Sequence, residues 1–203
     1  MIRDRASPSH AATGAGQDDV AAFAAGFPLD HQPGTVWNYS SGTTNIVARI
    51  AGDAVGGGTS AMRAFLEDRL FGPLGMASAS PRFDDAGTFV GSSFLYATAQ
   101  VFARFGYLYL RDGTWDGARL LPEGWVDHAR APVPVPATEE FGYGAHWWLW
   151  REYPGAFAAH GYEGQYIVVV PDRDLVVVRL GKTPAELRPN LLVRLRALVD
   201  AFA

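Results

Sequence analysis

The chain has 203 residues, 48% of them apolar and 19% charged, with a formal net charge of -4; that is enough sequence to bury a substantial core in one domain or in a domain of two lobes. The negative balance offers no attraction for nucleic acid or an anionic membrane, so neither is expected as a partner. With no cysteine there is no disulfide frame, thiolate nucleophile or cysteine-held metal, and no apolar run approaches the roughly 18 to 20 residues of a membrane span.

Residues 1–17 read as a polar lead-in without the apolar core of a signal peptide, so the chain as it stands reads as cytoplasmic and its compartment stays unassigned. Asp18-Asp19 followed by Val20 to Ala25 and Gly26 predicts a short helix with acidic residues at its start and a glycine stop. Phe27 to Pro33 is loop, and Pro33-Gly34 marks a turn before an extended run through Trp37 and Tyr39. Beyond Gly42, Ile46, Val47, Ile50, Ala51 and Ala54 recur at helical spacing until Gly56-Gly57-Gly58 ends the element. Thr59 is read as the cap of the next helix, whose stripe is Met62, Phe65, Leu66 and Leu70.

Residues 77–97, rich in Ser, Gly, Asp and Pro, read as surface loop. Thr98 caps a strongly apolar helix with Val101, Phe102, Phe105, Leu108 and Tyr109, which stops at Arg111-Asp112-Gly113. Asp116-Gly117 is a second turn dipeptide. Leu121-Pro122-Glu123 is read as the opening of a short helix, and Pro132 to Pro136 as a stiff connector. From Tyr143 to Trp150 and from Ala156 to Val170 the chain reads as extended. Pro171 to Asp174 turns, and Leu175 to Leu180 is a strand that completes a hairpin. A helix from about Pro189 to Ala203 closes the chain with Leu191, Leu192, Leu195, Leu198, Val199 and Phe202. The layout is α+β: a helical region over about 18–135, then an antiparallel sheet and terminal helix over about 141–203.

Two places carry candidate chemistry. In extended chain Tyr39 and Ser41 would face one side, a phenol and a hydroxyl able to pass a proton; equally, Tyr39 reads as a wall aromatic and Ser41 as a helix N-cap. At the second place, alternation from Ala158 sets His160, Tyr162 and Gly164 on one face and Gly161, Glu163 and Gln165 on the other. The glycines admit close approach of a ligand, while His160 also reads as a half-exposed strand residue beside a turn. The five histidines show no ligand spacing, so no metal is expected. There is no Gly-x-Ser-x-Gly elbow and no phosphate-binding loop, and no cofactor is expected.

Trp37-Asn38-Tyr39-Ser40-Ser41-Gly42-Thr43-Thr44-Asn45, Phe71-Gly72-Pro73-Leu74-Gly75-Met76, Gly91-Ser92-Ser93 with Ala97-Thr98-Ala99, Leu121-Pro122-Glu123-Gly124-Trp125, and Gly161-Tyr162-Glu163-Gly164-Gln165 ahead of Val168 to Leu180 occur in one order. Together they resemble the serine hydrolases related to class C β-lactamases and penicillin-binding proteins, nearest the esterase and 6-aminohexanoate-dimer hydrolase branch. The resemblance runs from about Asp18 to the C-terminus. It implies a partial β-lactamase/transpeptidase-like fold and a small-molecule amide or ester as substrate. Tyr39 matches the tyrosine of the family's second motif, which shuttles a proton, and Ser41 stands where asparagine is common. Tyr162-Glu163-Gly164 falls on the third motif, with Tyr162 in place of the usual cation and His160 just upstream. A main-chain donor near Gly164 or Gln165 is the expected part of the oxyanion site, and Trp37, His160 and Tyr162 are expected to line the substrate.

The departure lies in the family's nucleophile, a serine with lysine three positions on. After Ser7, Ser9, Ser40, Ser41, Ser60, Ser78, Ser80, Ser92 and Ser93 that position holds His, Ala, Thr, Thr, Arg, Pro, Phe, Leu and Tyr. Lys182 is the sole lysine; Lys182-Thr183 is followed by Pro184 and reads as loop. The expectation is therefore the C-terminal portion of a hydrolase, incomplete over 18–203, with an open sheet edge that favours self-association. The rival expectations are a non-catalytic small-molecule-binding module of the same fold and a remnant without function.

Overall fold

The computed structural model describes residues 18–202; the lead-in expected at 1–17 lies outside them. Two compact units are formed, one by the described residues up to Pro73 with Ala77–Ala97, the other by Leu74–Met76 with the chain from Thr98 onward. The helix expected after Thr98 therefore belongs with the sheet and not with the helices that precede it.

In the first unit, helix α1 (Val20–Ala25) starts where Asp19 accepts the Ala22 N–H at 2.8 Å. Its entry is tied down by Asp84, which accepts the N–H of Val20 at 2.9 Å and of Thr88 at 2.6 Å. Helix α2 (Ser41–Ala54) ends at Gly56, Gly57 and Gly58, all at positive φ, a conformation glycine takes without a Cβ clash. Helix α3 (Gly58–Leu66) then opens on a glycine N-cap without a side-chain bond, so Thr59 sits inside the helix and not at its cap. The helix widens into a π-turn over Glu67–Phe71, a feature periodicity does not reveal. The 77–97 stretch folds back on itself, strand β1 (Ser80–Pro81) pairing with β2 (Leu95–Tyr96) and Phe83 bridging Phe89.

The stripe read on α2 is not a core face. Its buried positions are Gly42, Asn45 and Gly52, while Val47 and Ile50 are 48% and 63% exposed. Helical spacing identifies which residues share a face but says nothing about whether a partner covers it.

In the second unit, α4 (Ala99–Leu110) is capped by Thr98, which accepts the Val101 N–H at 3.4 Å. A tight hairpin of β3 (Thr114–Trp115) and β4 (Ala118–Arg119) turns at Asp116-Gly117, both at positive φ. Helix α5 (Trp125–Arg130) begins later than expected: Gly124 at φ 76° is its N-cap, so Pro122 lies in the preceding turn and not in the first helical position. The Tyr143–Trp150 stretch is two strands, β5 (Gly142–Tyr143) and β6 (Trp148–Leu149), because His146 at φ 65° reverses the chain. Ala156–Val170 likewise divides into β7 (Phe157–Gly161) and β8 (Gln165–Val170), and β9 (Leu175–Arg179) completes an antiparallel sheet in chain order β5 to β9.

Both faces of this sheet are covered. On one, Ala158, Tyr166, Val168, Val170 and Val177 pack with Leu192, Leu195 and Val199 of helix α6 (Arg188–Asp200). On the other, Phe157 and Val169 pack with Val126, Ala129, Trp147 and residues Phe105 and Tyr109 of α4. Gly106 lets α4 approach closely, since a Cβ there would meet Val176 Cγ1 at 2.7 Å and Ile167 Cγ2 at 2.9 Å.

Candidate active site

The first unit holds Trp37, Tyr39 and Ser41. Ser40, not Ser41, is the N-cap: its backbone is extended, its Oγ accepts the Thr43 N–H at 3.3 Å, and Ser41 is the first helical residue. Tyr39 and Ser41 therefore flank the extended cap residue, Tyr39 before it and Ser41 opening the helix. The Tyr39 ring, 54% exposed, stands just before the N-terminus of a 14-residue helix.

One turn along α2, Asn45 is 3% exposed and accepts the Ser92 N–H at 3.3 Å through Oδ1. A Cβ on Gly91 would meet that of Ala48 at 3.1 Å, so Gly91-Ser92-Ser93 is drawn close against the helix that follows Tyr39. Asn45 was missed in the sequence. Its signal is a polar residue four positions after Ser41, hence on the same side of the helix.

In the second unit the motif lies on a turn. Gly161 pairs with Gln165 as the last rung between β7 and β8, leaving Tyr162, Glu163 and Gly164 as a three-residue connection with φ of 54° at Glu163 and 82° at Gly164. Strand alternation stops at Gly161, so the expected face of His160, Tyr162 and Gly164 does not exist as such. Tyr162 is 65% exposed at the tip.

The turn is clamped from β9 and the segment after it. Arg179 Nη1 donates to the carbonyls of Gly164, at 2.8 Å, and of Gly181, and its Nη2 donates to Thr183 Oγ1 at 2.7 Å. The Thr183 N–H donates to the Glu163 carbonyl at 2.8 Å, and Gln165 Nε2 to the Tyr162 carbonyl at 3.2 Å. Lys182 Nζ stands 3.6 Å from Glu163 Oε2, but its side chain is almost fully in solvent and this pair adds little. Lys182-Thr183 is loop, as expected, with Thr183 turned inward as part of the clamp. Gly164 is required twice over: its φ is left-handed, and a Cβ would meet Leu191 Cδ2 at 2.8 Å.

His160 is held by rings. Its Nε2 accepts the Trp150 Nε1–H at 3.1 Å, its ring stacks on Trp148 at 5.2 Å, and Phe141 and Tyr166 meet it edge-on at 4.8 Å each. Burial, helped by the positive charge of Arg188, pushes its pKa down to about 3. The imidazole is thus neutral, with its acceptor nitrogen engaged and its proton on Nδ1.

Among the described residues no three His, Asp or Glu side chains gather as metal ligands, and no helix is long and apolar enough to cross a membrane. A concavity on the first unit, lined by Ser60, Arg63, Glu67 and Phe71, contains none of Trp37, Tyr39 and Ser41.

The family model described as Beta-lactamase matches residues 3–200. No curated protein matches the chain. Among solved structures, a protein assigned as a 6-aminohexanoate-dimer hydrolase from Bacillus anthracis is similar with a TM-score of 0.75 and 23% identity, over 90% of this chain and 49% of that one. A protein assigned as a beta-lactamase from Bacteroides dorei DSM 17855 is similar at TM-score 0.61 and 17% identity, over 88% of this chain and 63% of that one. For a beta-lactamase from Mycobacterium bovis the values are 0.58 and 18%, over 89% and 73%. At these identities the likeness is one of fold. The chain spans about half the length of the first of these structures.

Proposed function

Because the chain belongs to the beta-lactamase family, we propose that it is the C-terminal part of a serine hydrolase that cleaves amide or ester bonds through an acyl-enzyme. In this reading the nucleophilic serine and its lysine lie in polypeptide outside these 203 residues. The observation that carries it is that none of the chain's serines is followed by lysine three residues on, while Trp37 to Asn45 and Gly161 to Gln165 resemble the family's second and third motifs. The incoming serine hydroxyl passes its proton by way of Tyr39 to the departing nitrogen or oxygen as its own oxygen bonds to the carbonyl carbon; water then releases the acid and restores the serine. Ser41 supports the relay. The family resemblance is what assigns Trp37 and Tyr162 to aromatic contact with the substrate, and a main-chain donor at Gly164 or Gln165 to part of the oxyanion charge. His160 serves one step back, since its acceptor nitrogen is already committed to Trp150.

The chain alone is expected to be inactive because, in this reading, the attacking hydroxyl and the ammonium beside it are supplied by polypeptide outside these residues. Labelling with a fluorophosphonate or a penicillin probe tests this. The 203-residue chain is expected to stay unlabelled and a frame extended upstream to label; labelling of the shorter chain would sink the proposal. A second reading, a non-catalytic binding module, is favoured by the intact clamp around Gly164 beside the missing nucleophile. Saturable ligand binding without turnover, in a protein whose extended frame has no Ser-x-x-Lys, would select it.

A further inference from the structure

Asp-Gly occurs twice in the chain, at Asp112-Gly113 just before the β3–β4 hairpin and at Asp116-Gly117 on its tip. The two dipeptides share one backbone form, with φ of 49° and 77° at the first and 47° and 76° at the second. Conformation does not distinguish them. Their surroundings do.

Asp112-Gly113 is locked. The Gly113 N–H donates to the Leu108 carbonyl at 2.8 Å, and the Gly113 carbonyl accepts the N–H groups of Leu120 and Leu121 at 2.8 and 3.1 Å. Gly113 is buried, and a Cβ there would meet that of Leu121 at 2.6 Å. Arg119 holds the aspartate at two points, Nη1 donating to the Asp112 carbonyl at 2.6 Å and Nη2 to Oδ2 at 3.1 Å. Asp116 and Gly117 are both exposed, and a Cβ on Gly117 would meet nothing within 4 Å. Among the described residues neither the Asp116 carboxylate nor the Gly117 N–H has a hydrogen-bond or ion-pair partner. Only two strands of two residues each hold the tip closed, and so short a hairpin opens at low cost.

Glycine after aspartate leaves its main-chain nitrogen open to the neighbouring carboxyl carbon, because no side chain stands in the way. The Gly117 nitrogen bonds to Asp116 Cγ, its proton and the carboxyl hydroxyl leave as one water, and a five-membered imide closes. Water then adds at either imide carbonyl. Opening at Cγ restores aspartate; opening at the other carbonyl gives isoaspartate, in which the main chain runs through Cγ and the former main-chain carbonyl is a free carboxylate. One water leaves and one returns, so no further reactant is needed and the mass is unchanged. Ring closure turns the glycine nitrogen out of the turn geometry, and its rate follows how readily the local backbone opens. At Gly113 that opening breaks the bond to Leu108 and lifts the residue away from Leu121; at Gly117 it breaks neither.

We propose that Asp116 is a site of spontaneous isoaspartate formation, the fold steering the reaction away from Asp112, and that the product is a substrate for a carboxyl methyltransferase, a methyl group passing from the sulfonium of S-adenosylmethionine to the new carboxylate. The product has one more main-chain carbon between Trp115 and Ala118, which the tight turn cannot hold in register. The edge contact of Trp115 with Tyr107, 5.9 Å between ring centres, is lost with it. The inference does not rest on the catalytic reading.

The chain is aged at neutral pH, once folded and once in denaturant, and cut with trypsin. The peptide from Asp112 to Arg119 carries both sites, and electron-transfer fragmentation tells them apart. In the folded chain isoaspartate at 116 should exceed that at 112 at least about tenfold, since hydrogen bonds protect only the latter; in denaturant the two should form alike. Methyl transfer from labelled S-adenosylmethionine by an isoaspartyl methyltransferase should rise with the 116 product and vanish in Asp116→Glu, whose imide would need a larger ring. A folded chain without isoaspartate or with equal amounts at both sites, the same bias in denaturant, an aged chain that takes no methyl, or an Asp116→Glu chain that takes as much as the parent would each overturn the proposal.

Discussion

The Arg179 guanidinium donates to the Gly164 carbonyl at 2.8 Å, which ties the start of β8 to the end of β9 and fixes the turn that carries Tyr162. The same guanidinium bonds Thr183 Oγ1, and Thr183 in turn holds the Glu163 carbonyl, so one side chain organises two sides of the turn. Arg179→Ala removes charge-assisted bonds from partly buried carbonyls and should cost about 1–3 kcal/mol. Exchange of the amides at 162–165 should accelerate more than that of Val168 and Val169. Arg179→Lys, with a point charge in place of a fork, should recover less than half of the loss in a denaturant titration.

Gly164 and Gly117 have similar backbones, φ 82° and 76°, but different surroundings. At Gly117 a Cβ meets nothing within 4 Å, whereas at Gly164 it meets Leu191 Cδ2 at 2.8 Å. Gly117→Ala should therefore cost only the conformational penalty, about 1 kcal/mol, and Gly164→Ala clearly more, about 2–4 kcal/mol. Paired denaturation midpoints check this, and equal losses would mean that Leu191 simply moves aside.

What could be read from the sequence was what is decided locally. Asp19, Thr98 and the Asp116-Gly117 turn sit as expected because capping and turn geometry need only a few neighbouring residues. The sequence points to Ser41 as cap and the structure gives the role to Ser40, since two adjacent serines cap equally well and only the backbone distinguishes them. Placing Tyr162 on a face with His160 failed because alternation presumes an unbroken strand, and Glu163 and Gly164 at positive φ reset it. Arg179 gave no signal, as an arginine at a strand end ordinarily reads as solvated. Tyr39 was legible as a candidate through the ordered motifs, and the exposure of Val47 and Ile50 was not, because spacing carries no information about distant partners.

Asn45 predicts a different kind of loss. It is a buried amide whose Oδ1 receives the Ser92 N–H, so Asn45→Leu keeps the bulk but strands a main-chain donor. The expected cost is about 1–3 kcal/mol, accompanied by faster exchange at Ser92 and Ser93. Asn45→Asp retains an acceptor and should cost less at neutral pH than Asn45→Leu.

His160 predicts how stability follows pH. In the unfolded chain the imidazole titrates near 6.5, while in the folded protein burial, with Arg188 nearby, holds it at about 3. Above pH 6.5 both states are neutral and the full contribution is present. Between 6.5 and 3 the unfolded chain takes up a proton that the native state refuses, so stability falls with pH through that window and levels off below it. The size is on the order of a few kcal/mol at most, because the ring is half-buried among the aromatics and not sealed from solvent. His160→Gln keeps a polar group for the Trp150 N–H and removes the titration. Its stability should lie below that of the parent at pH 8, from poorer packing among Trp148, Phe141 and Tyr166, and the gap should narrow as the pH falls toward 4. Denaturant titrations at a series of pH values measure the gap directly, and one that stayed constant from pH 8 to 4 would mean that the imidazole is protonated as readily folded as unfolded, against the enclosure the rings provide.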